Sequence, residues 1–250
     1  MLVRGGYFVG IENLAEQLVA WLNEKRQTAG ADGFVVGLSG GIDSAVVAAL
    51  CKRACPDNVL GLIMPCFSNP QDALDAQLVA ETLGVPFRRV VLDEVFLRLL
   101  KELGNEEYDP EKRDLPVANI KPRLRMTAQY FYASRYNYLV VGTGNLSEIM
   151  VGYFTKYGDG GADLLPLANL VKRDVKALAF CLGVPQKIID KEPSAGLWIG
   201  QNDREEMGFS YEDLDCYLLN GEGSEDVKKK IRTLIAKSQH KRELPLKPPF

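Results

Sequence analysis

One stretch of the sequence constrains the fold more than any other. From residue 34 to residue 50, an apolar run, a Ser-Gly-Gly turn and a second apolar run of small residues follow one another. The first run predicts a buried strand, and the second predicts a helix packed against it. Gly40 and Gly41 leave room for backbone N–H groups to point into the turn, and the positive end of the helix dipole adds to them. The stretch therefore predicts an anion-binding loop, with phosphate as the natural anion.

The side chains of this loop predict a metal beside the phosphate. No lysine comes from the turn, so the loop is not a Walker A sequence, and it offers the hydroxyls of Ser39 and Ser44 and the carboxylate of Asp43. A carboxylate repels phosphate unless a cation lies between them, and Mg²⁺ accepts oxygens from both. The alternative is that Asp43 only stabilises the N-terminus of the helix, and for an aspartate considered alone this alternative is favoured.

The remaining apolar runs predict an α/β fold. They alternate with predicted helices and lie at residues 59–64, 87–92, 138–142 and 164–170. This alternation predicts a doubly wound, mostly parallel, five-stranded sheet with helices on both faces. The fourth strand is expected to lie beside the first, after the chain has crossed to the other side of the sheet. Because ligands bind where the strand order reverses, Thr143 is expected to face the Ser-Gly-Gly loop.

The whole chain, residues 1–250, is predicted to be a single domain with a basic, helical C-terminal tail at about 224–250. The tail carries eight Lys or Arg against three acids, and a solvated helix face is the more ordinary explanation of such a run. Three polar or glycine-rich loops are the expected lid elements, at 105–115, 153–163 and 195–208.

Charge and residue counts exclude several classes of protein. The net charge is -3, which gives no sign of nucleic-acid binding. The single histidine, His240, nearly excludes Ser-His-Asp and histidine-rich metal chemistry. The five cysteines form no Cys-x-x-Cys pair, and no apolar run is long enough to cross a bilayer, so a cytoplasmic protein without membrane contact is expected. Catalysis in such a chain depends on metal, on lysine or arginine charge, and on positioning.

Four segments together resemble the family of ammonia-dependent NAD synthetases. The most specific is the run Tyr-Phe-Thr-Lys-Tyr-Gly-Asp-Gly-Gly at 153–161, and the others are the Ser-Gly-Gly-Ile-Asp-Ser loop, the block 119–126 and the pair His240-Lys241. The resemblance covers about residues 10–245. It implies an adenine nucleotide alpha hydrolase-like fold within the N-type ATP pyrophosphatases.

The resemblance also implies the reaction. The nicotinate carboxylate of deamido-NAD attacks the α-phosphorus of ATP, which gives an adenylated carboxylate and pyrophosphate, and ammonia then displaces AMP to give NAD. Such a reaction depends on charge neutralisation and alignment rather than on a histidine base.

The site residues are implied position by position. Asp43, Lys172 and Glu148 are the implied catalytic groups, with Asp43 and Glu148 on Mg²⁺. The implied ATP-binding residues are Gly37, Leu38, Ser39, Gly40, Gly41, Ile42, Asp43, Ser44, Gln77, Thr143, Lys172 and Ser194. The implied deamido-NAD-binding residues are Arg123, Lys156, Asp163, His240 and Lys241. Three of these have ordinary alternatives: Glu148 as a solvated acid, Lys172 as a surface lysine, and Gln77 as an exposed helix residue.

The resemblance implies a homodimer that uses small-molecule substrates. Only about thirty residues precede the loop, so the expected nitrogen source is free ammonia, or ammonia from a separate glutaminase subunit. Two other hypotheses remain open. One is a different adenylating enzyme, such as a tRNA-modifying ligase or sulfurtransferase, which would need a basic surface or reactive cysteines. The other is a non-catalytic adenine-nucleotide sensor.

Overall fold

In the computed structural model, the described residues are 3–4, 7–8, 10–104, 108–110, 112–194, 196, 198 and 201–250. The predicted lid loops at 105–115 and 195–208 therefore lie partly outside the described residues. The described chain begins with a two-stranded antiparallel ribbon formed by β1 (Val3–Arg4) and β2 (Tyr7–Phe8).

The centre of the fold is a parallel sheet with the strand order β5-β4-β3-β6. Its strands are β3 (Gly33–Gly37), β4 (Val59–Ile63), β5 (Phe87–Arg89) and β6 (Tyr138–Val141). β3 pairs in parallel with β4 on one side and with β6 on the other. The predicted crossing of the chain is confirmed, and the strand order reverses beside β3.

The predicted count of five strands is wrong for the described residues, which form a four-stranded parallel sheet. In the segment expected to supply the fifth strand, only Leu164 makes a parallel bridge, to Val141. The chain turns at 166–169, directly after this bridge. Pro166 has no N–H to donate to a strand ladder, so the pairing cannot extend through this position.

Helices cover both faces of this sheet because the residues of β3 alternate between two cores. Phe34 and Val36 belong to one core and Val35 belongs to the other. The first core is covered by α1 (Ile11–Thr28), α2 (Ile42–Ala54), α3 (Pro70–Leu83), α8 (Lys172–Leu182) and α9 (Gln186–Ile189). The second core is covered by α4 (Asp93–Glu102), α5 (Leu115–Ala118) and α6 (Ile120–Tyr136).

A third, smaller core joins helices of the C-terminal part of the chain. They are α7 (Leu146–Val151), α10 (Asp203–Met207), α11 (Tyr211–Asn220) and α12 (Glu225–Lys237). The predicted basic tail consists of α12 and α13 (Gln239–Arg242), followed by non-helical residues 243–250. Prolines at 245, 248 and 249 account for the end of the helical tail. Within the described part of the chain, no helix combines the length and the apolar character that crossing a membrane requires.

Candidate active site

The predicted glycine loop connects β3 to α2 and needs glycine at Gly40. This residue has φ +79°, and a Cβ added to it would lie 2.4 Å from the carbonyl oxygen of Asp72 in α3. Gly41 precedes α2, and no side chain of the described residues caps the helix there. Hydroxyls order the turn, because Gly41 N donates to Ser39 Oγ over 3.2 Å and Ser39 N donates to Ser44 Oγ over 3.2 Å. The loop thus presents the first turn of α2 without a side-chain cap, as an anion site requires.

A cavity of about 650 Å³ opens in front of this loop. It lies beyond the carboxyl ends of β3 and β6, where the strand order reverses. Thr143, which follows β6, lines the cavity together with the glycine loop, as the sequence predicted.

Three charged side chains meet at one end of the cavity. Lys172 Nζ donates to Asp43 Oδ2 over 2.5 Å and to Glu148 Oε1 over 3.2 Å. All three are largely buried, with side chains 13% to 19% exposed. Lys172 stands at the first position of α8, Asp43 in the first turn of α2 and Glu148 in the first turn of α7. Three helix N-termini therefore meet at this point of the cavity.

Burial and mutual charge shift the acid–base properties of this cluster. Burial is the main cause that raises the pKa of Glu148 to about 7; Asp43 adds to the rise, while Lys172 opposes it. Burial alone would lower the pKa of Lys172, but the two carboxylates outweigh burial, and the pKa is raised above its ordinary value. Lys172 is therefore a fixed positive charge at neutral pH.

Asn145 joins the two carboxylates and was not among the predicted site residues. Its buried side chain donates from Nδ2 to Asp43 Oδ1 over 2.8 Å and accepts at Oδ1 from the N–H of Glu148 over 3.0 Å. Asn145 and Glu148 also form a capping box at the start of α7. The signal in the sequence was the position of Asn145 directly after Thr143 and Gly144, at the end of the strand beside β3.

Tyr211 is a second functional candidate that sequence reasoning missed. Its ring packs 4.9 Å from Lys172 Nζ, and its hydroxyl donates to Glu148 Oε1 over 3.3 Å or to Asp203 Oδ2 over 2.9 Å. Burial and the neighbouring carboxylates raise the pKa of the Tyr211 phenol above its usual range. Tyr211 therefore stays protonated and is a donor beside Glu148. No sequence motif marks this residue, which follows Glu148 by 63 positions.

The donor set suits a hard cation shared with a ligand. Among the described residues, there is no group of three or more His, Cys, Asp or Glu side chains that could hold a metal alone. Asp43 and Glu148 nevertheless converge on a single cationic point, the Nζ atom of Lys172. Mg²⁺ commonly takes one or two carboxylates and completes its shell with phosphate oxygens and water. These residues therefore fit a magnesium ion that is bound together with a nucleotide.

The remaining predicted site residues fall into two groups. Among the described residues that line the cavity are Ser194 and Lys241; Lys241 Nζ donates to Gly152 O over 2.8 Å and to Phe154 O over 2.7 Å. Gly40 of the loop and five further predicted residues do not belong to that lining; the five are Gln77, Arg123, Lys156, Asp163 and His240. Gln77 is exposed on α3 and donates to Glu81.

Three of these five residues lie together outside the cavity. Arg123 Nη2 donates to Lys156 O over 3.4 Å, and Lys156 Nζ donates to the backbone carbonyl of His240. They connect α6, the glycine-rich run at 153–161 and the C-terminal tail. Asp163 is placed separately, where it accepts from Tyr130 OH over 3.0 Å and from Val140 N over 2.8 Å.

The fold and the site define a class. The parallel sheet has a glycine loop at its switch point, a carboxylate-bearing helix after the loop and a buried lysine opposite that helix. These features define an α/β enzyme of the adenine nucleotide alpha hydrolase-like type. The family model described as NAD synthase matches residues 14–245. The chain belongs to the NAD synthase family.

Individual relatives are similar over nearly the whole chain. The NH(3)-dependent NAD(+) synthetase of Carboxydothermus hydrogenoformans is 54% identical over 238 residues, which are 95% of this chain and 97% of that protein. A solved structure of an NMN synthetase from Francisella tularensis has a TM-score of 0.91 at 38% identity, and covers 97% of this chain and 100% of that one. A solved structure of an NH3-dependent NAD synthetase from Campylobacter jejuni has a TM-score of 0.79 at 28% identity, and the match covers 96% of this chain and 100% of that one.

Proposed function

We propose that the protein is a ligase that amidates the nicotinate carboxylate of deamido-NAD with ammonia and splits ATP into AMP and pyrophosphate. The observation that carries the proposal is the contact of Lys172 with Asp43 and Glu148 beside the glycine loop. It supplies fixed charge where a polyphosphate would meet a carboxylate nucleophile. Membership of the NAD synthase family supports the same reaction.

In the first step, a carboxylate oxygen of deamido-NAD attacks the α-phosphorus of ATP and pyrophosphate leaves. Amides of the glycine loop and of the first turn of α2 hold the polyphosphate, and Thr143 and Ser194 contribute hydroxyls from other sides of the cavity. Lys172 contributes a positive charge, because its raised pKa keeps the buried amine protonated. Alignment and charge neutralisation therefore account for the step without a general base.

Asp43 and Glu148 would hold Mg²⁺, which supplies charge neutralisation at the phosphates when it is bound. Two protein carboxylates leave coordination positions for phosphate oxygens and water, which is the usual arrangement for this ion. Asn145 fixes one oxygen of Asp43 and the backbone N–H of Glu148, so it sets the relative position of the two ligands.

In the second step, ammonia attacks the acyl carbon and AMP leaves with the oxygen that came from the carboxylate. The nitrogen loses one proton to solvent as the amide forms. Free ammonia is the proposed donor, because relatives that match nearly the whole chain are NH(3)-dependent NAD(+) synthetases. Burial raises the pKa of the Cys66 thiol to about 11 and also raises that of Cys51, so neither of these two thiols is a ready nucleophile.

The group outside the cavity is proposed to bind the far part of deamido-NAD. Arg123 and Lys156 are cations at the surface, suited to phosphates of the dinucleotide. Lys241 belongs both to the tail and to the cavity lining, so it lies between this group and the reacting end. His240 and Asp163 complete the proposed set.

A homodimer in the cytoplasm is proposed from the family resemblance. Sedimentation of the purified protein at a mass of one chain would contradict the dimer.

The Francisella tularensis structure supports a second candidate substrate, the mononucleotide counterpart of deamido-NAD. That protein is described as an NMN synthetase, and it has the TM-score of 0.91 with this chain. Both substrates carry the same nicotinate carboxylate, so the chemistry at Lys172 is unchanged. They differ only in the part that would reach the group of Arg123, Lys156 and His240.

A single pair of assays separates the two substrates. The protein is incubated with ATP, MgCl₂, ammonium and either deamido-NAD or nicotinate mononucleotide, and kcat/KM is measured for each. We expect kcat/KM for deamido-NAD to exceed kcat/KM for nicotinate mononucleotide by about tenfold or more. Lys156→Ala should reduce this ratio without changing kcat/KM for the mononucleotide. A preference for the mononucleotide would establish the second candidate, and no amide product from either substrate would refute both.

A further inference from the structure

Lys191 occupies a position that no motif marks, directly behind the glycine loop. Its Nζ lies 3.3 Å from the carbonyl oxygen of Gly40, 2.8 Å from Asp72 Oδ1 and 2.7 Å from Asp75 Oδ2. It follows α9 and begins the segment that carries Ser194, and it lines the cavity. One ammonium thus connects the glycine loop, the first turns of α3 and the segment at 191–194.

The contact with Gly40 fixes the direction of a backbone amide. In a trans peptide, the carbonyl oxygen and the N–H of the next residue point in opposite directions. Holding the oxygen of Gly40 on one side therefore directs the N–H of Gly41 to the other side. That side is the one where Gly41 N meets Ser39 Oγ over 3.2 Å and where both residues line the cavity.

Charge gives Lys191 a second effect on the same loop. Asp72 lines the cavity and Asp75 lies against Gly40, with side chains 27% and 2% exposed. Two carboxylates this close to a phosphate site repel the phosphate unless they are neutralised. Burial alone would lower the pKa of Lys191. Its hydrogen bonds to both carboxylates outweigh burial, so the pKa is raised and Lys191 stays charged.

We infer that Lys191 is a positioning residue for ATP: it orients the Gly40–Gly41 peptide and neutralises Asp72, and so replaces from a distant segment the lysine that this loop lacks. The inference deepens the proposed function and rests on its assignment of ATP to the glycine loop. Lys191 acts through the loop and not on the reacting atoms. Its loss is therefore expected to weaken ATP binding much more than binding of the carboxylate substrate.

Lys187 provides a matched control. It donates to the other oxygen of Asp75 over 2.7 Å, but its side chain is 58% exposed, and the described residues that line the cavity do not include it. Removing Lys187 takes one ion pair from the same aspartate and leaves the contacts of Lys191 with Gly40 and Asp72 in place.

The experiment compares the wild type with Lys191→Met, Lys191→Arg and Lys187→Met. Binding of α,β-methylene-ATP is titrated calorimetrically in MgCl₂, and KM is measured for ATP and for deamido-NAD. We expect Lys191→Met to weaken binding of the analogue and raise KM for ATP by about tenfold or more, with KM for deamido-NAD changed less than about threefold. Lys191→Arg should recover most of the loss, and Lys187→Met should stay within about twofold of the wild type.

Three results would overturn the inference: wild-type affinity in Lys191→Met, an equal loss in Lys187→Met, or an equal rise of KM for both substrates. If Lys191→Met does not fold, Lys191→Gln keeps a donor for Gly40 without the charge, and wild-type affinity in that variant overturns the inference equally. The titration does not depend on amidation. A wild type that binds the analogue but forms no NAD would refute the proposed function and leave the test of Lys191 intact.

Discussion

At the scale of single residues, the site depends on side chains that fix other side chains. Lys172 keeps its charge although it is buried, because two carboxylates face it. The Asn145 side chain holds the carboxylate of Asp43 and the backbone N–H of Glu148. A positioned group of this kind affects turnover through geometry, and its removal leaves the reacting groups present but misaligned.

Asn145→Ala is expected to lower turnover by about tenfold to a hundredfold, which is the usual cost of losing a residue that orients metal ligands. The measurement is kcat as a function of MgCl₂, together with Mg²⁺ affinity from a titration in the presence of α,β-methylene-ATP. Ser224→Ala is the matched control, because it removes a side-chain cap, that of α12, without touching the carboxylates of the site. Equal kinetics of Asn145→Ala and the wild type would contradict the positioning role.

Gly40→Ala tests the backbone of the loop. The added Cβ would meet the carbonyl of Asp72 at 2.4 Å, and φ is +79°, so about 1 to 3 kcal/mol of strain and a displaced loop are expected. Gly41→Ala is the milder partner variant, since φ is -97° there and its Cβ would meet Ser39 Oγ at 3.3 Å. Calorimetric affinity for the ATP analogue should fall much further in Gly40→Ala. Equal losses in the two variants would show that the positive φ is unimportant.

At the scale of elements, α3 anchors the loop through a buried carboxylate. Asp75 is 2% exposed and accepts hydrogen bonds from Lys187, Lys191 and Gln71. Burial alone would raise the pKa of Asp75, but these bonds outweigh burial and lower it from 3.8 to about 2. The ionised form of Asp75 therefore stabilises the folded protein.

Asp75→Asn gives a pH-dependent prediction with a definite sign. Because the folded-state pKa is lowered, the stabilisation is present above the ordinary pKa of 3.8 and is lost as the pH falls through about 2. We expect the variant to lose about 2 kcal/mol of unfolding free energy at pH 7, and the difference from the wild type to shrink from about pH 4 downward. Urea unfolding at several pH values measures it, and a constant difference down to pH 2 would contradict the account.

The elements also show what the sequence could predict. The strand, glycine turn and small-residue helix at 34–50 are local, so their pattern was sufficient, and the crossover rule placed Thr143 in the same cavity. The prediction of a fifth strand was wrong because an apolar run that contains Pro166 is equally compatible with a buried turn. Asn145 and Lys191 act on residues 102 and 151 positions away, and no local pattern carries such contacts.

At the scale of the whole molecule, the cavity and the surface group divide the proposed work. Lys172 and the glycine loop supply fixed charge within the cavity. The contacts of Arg123, Lys156 and His240 lie outside it. A substrate that reaches both must extend beyond the reacting carboxylate. This division is the reason to expect a dinucleotide, and it confines any preference between the two candidate substrates to the outer group.

The central claim is that the substrate carboxylate attacks the α-phosphorus of ATP, and an isotope experiment tests it most directly. Deamido-NAD labelled with ¹⁸O in its nicotinate carboxylate is converted with ATP, MgCl₂ and ammonium, and the nucleotide products are analysed by mass spectrometry. The account predicts AMP that carries one heavy oxygen, with pyrophosphate unlabelled. ADP together with labelled orthophosphate would contradict it, because the attack would then have taken place at the γ-phosphorus.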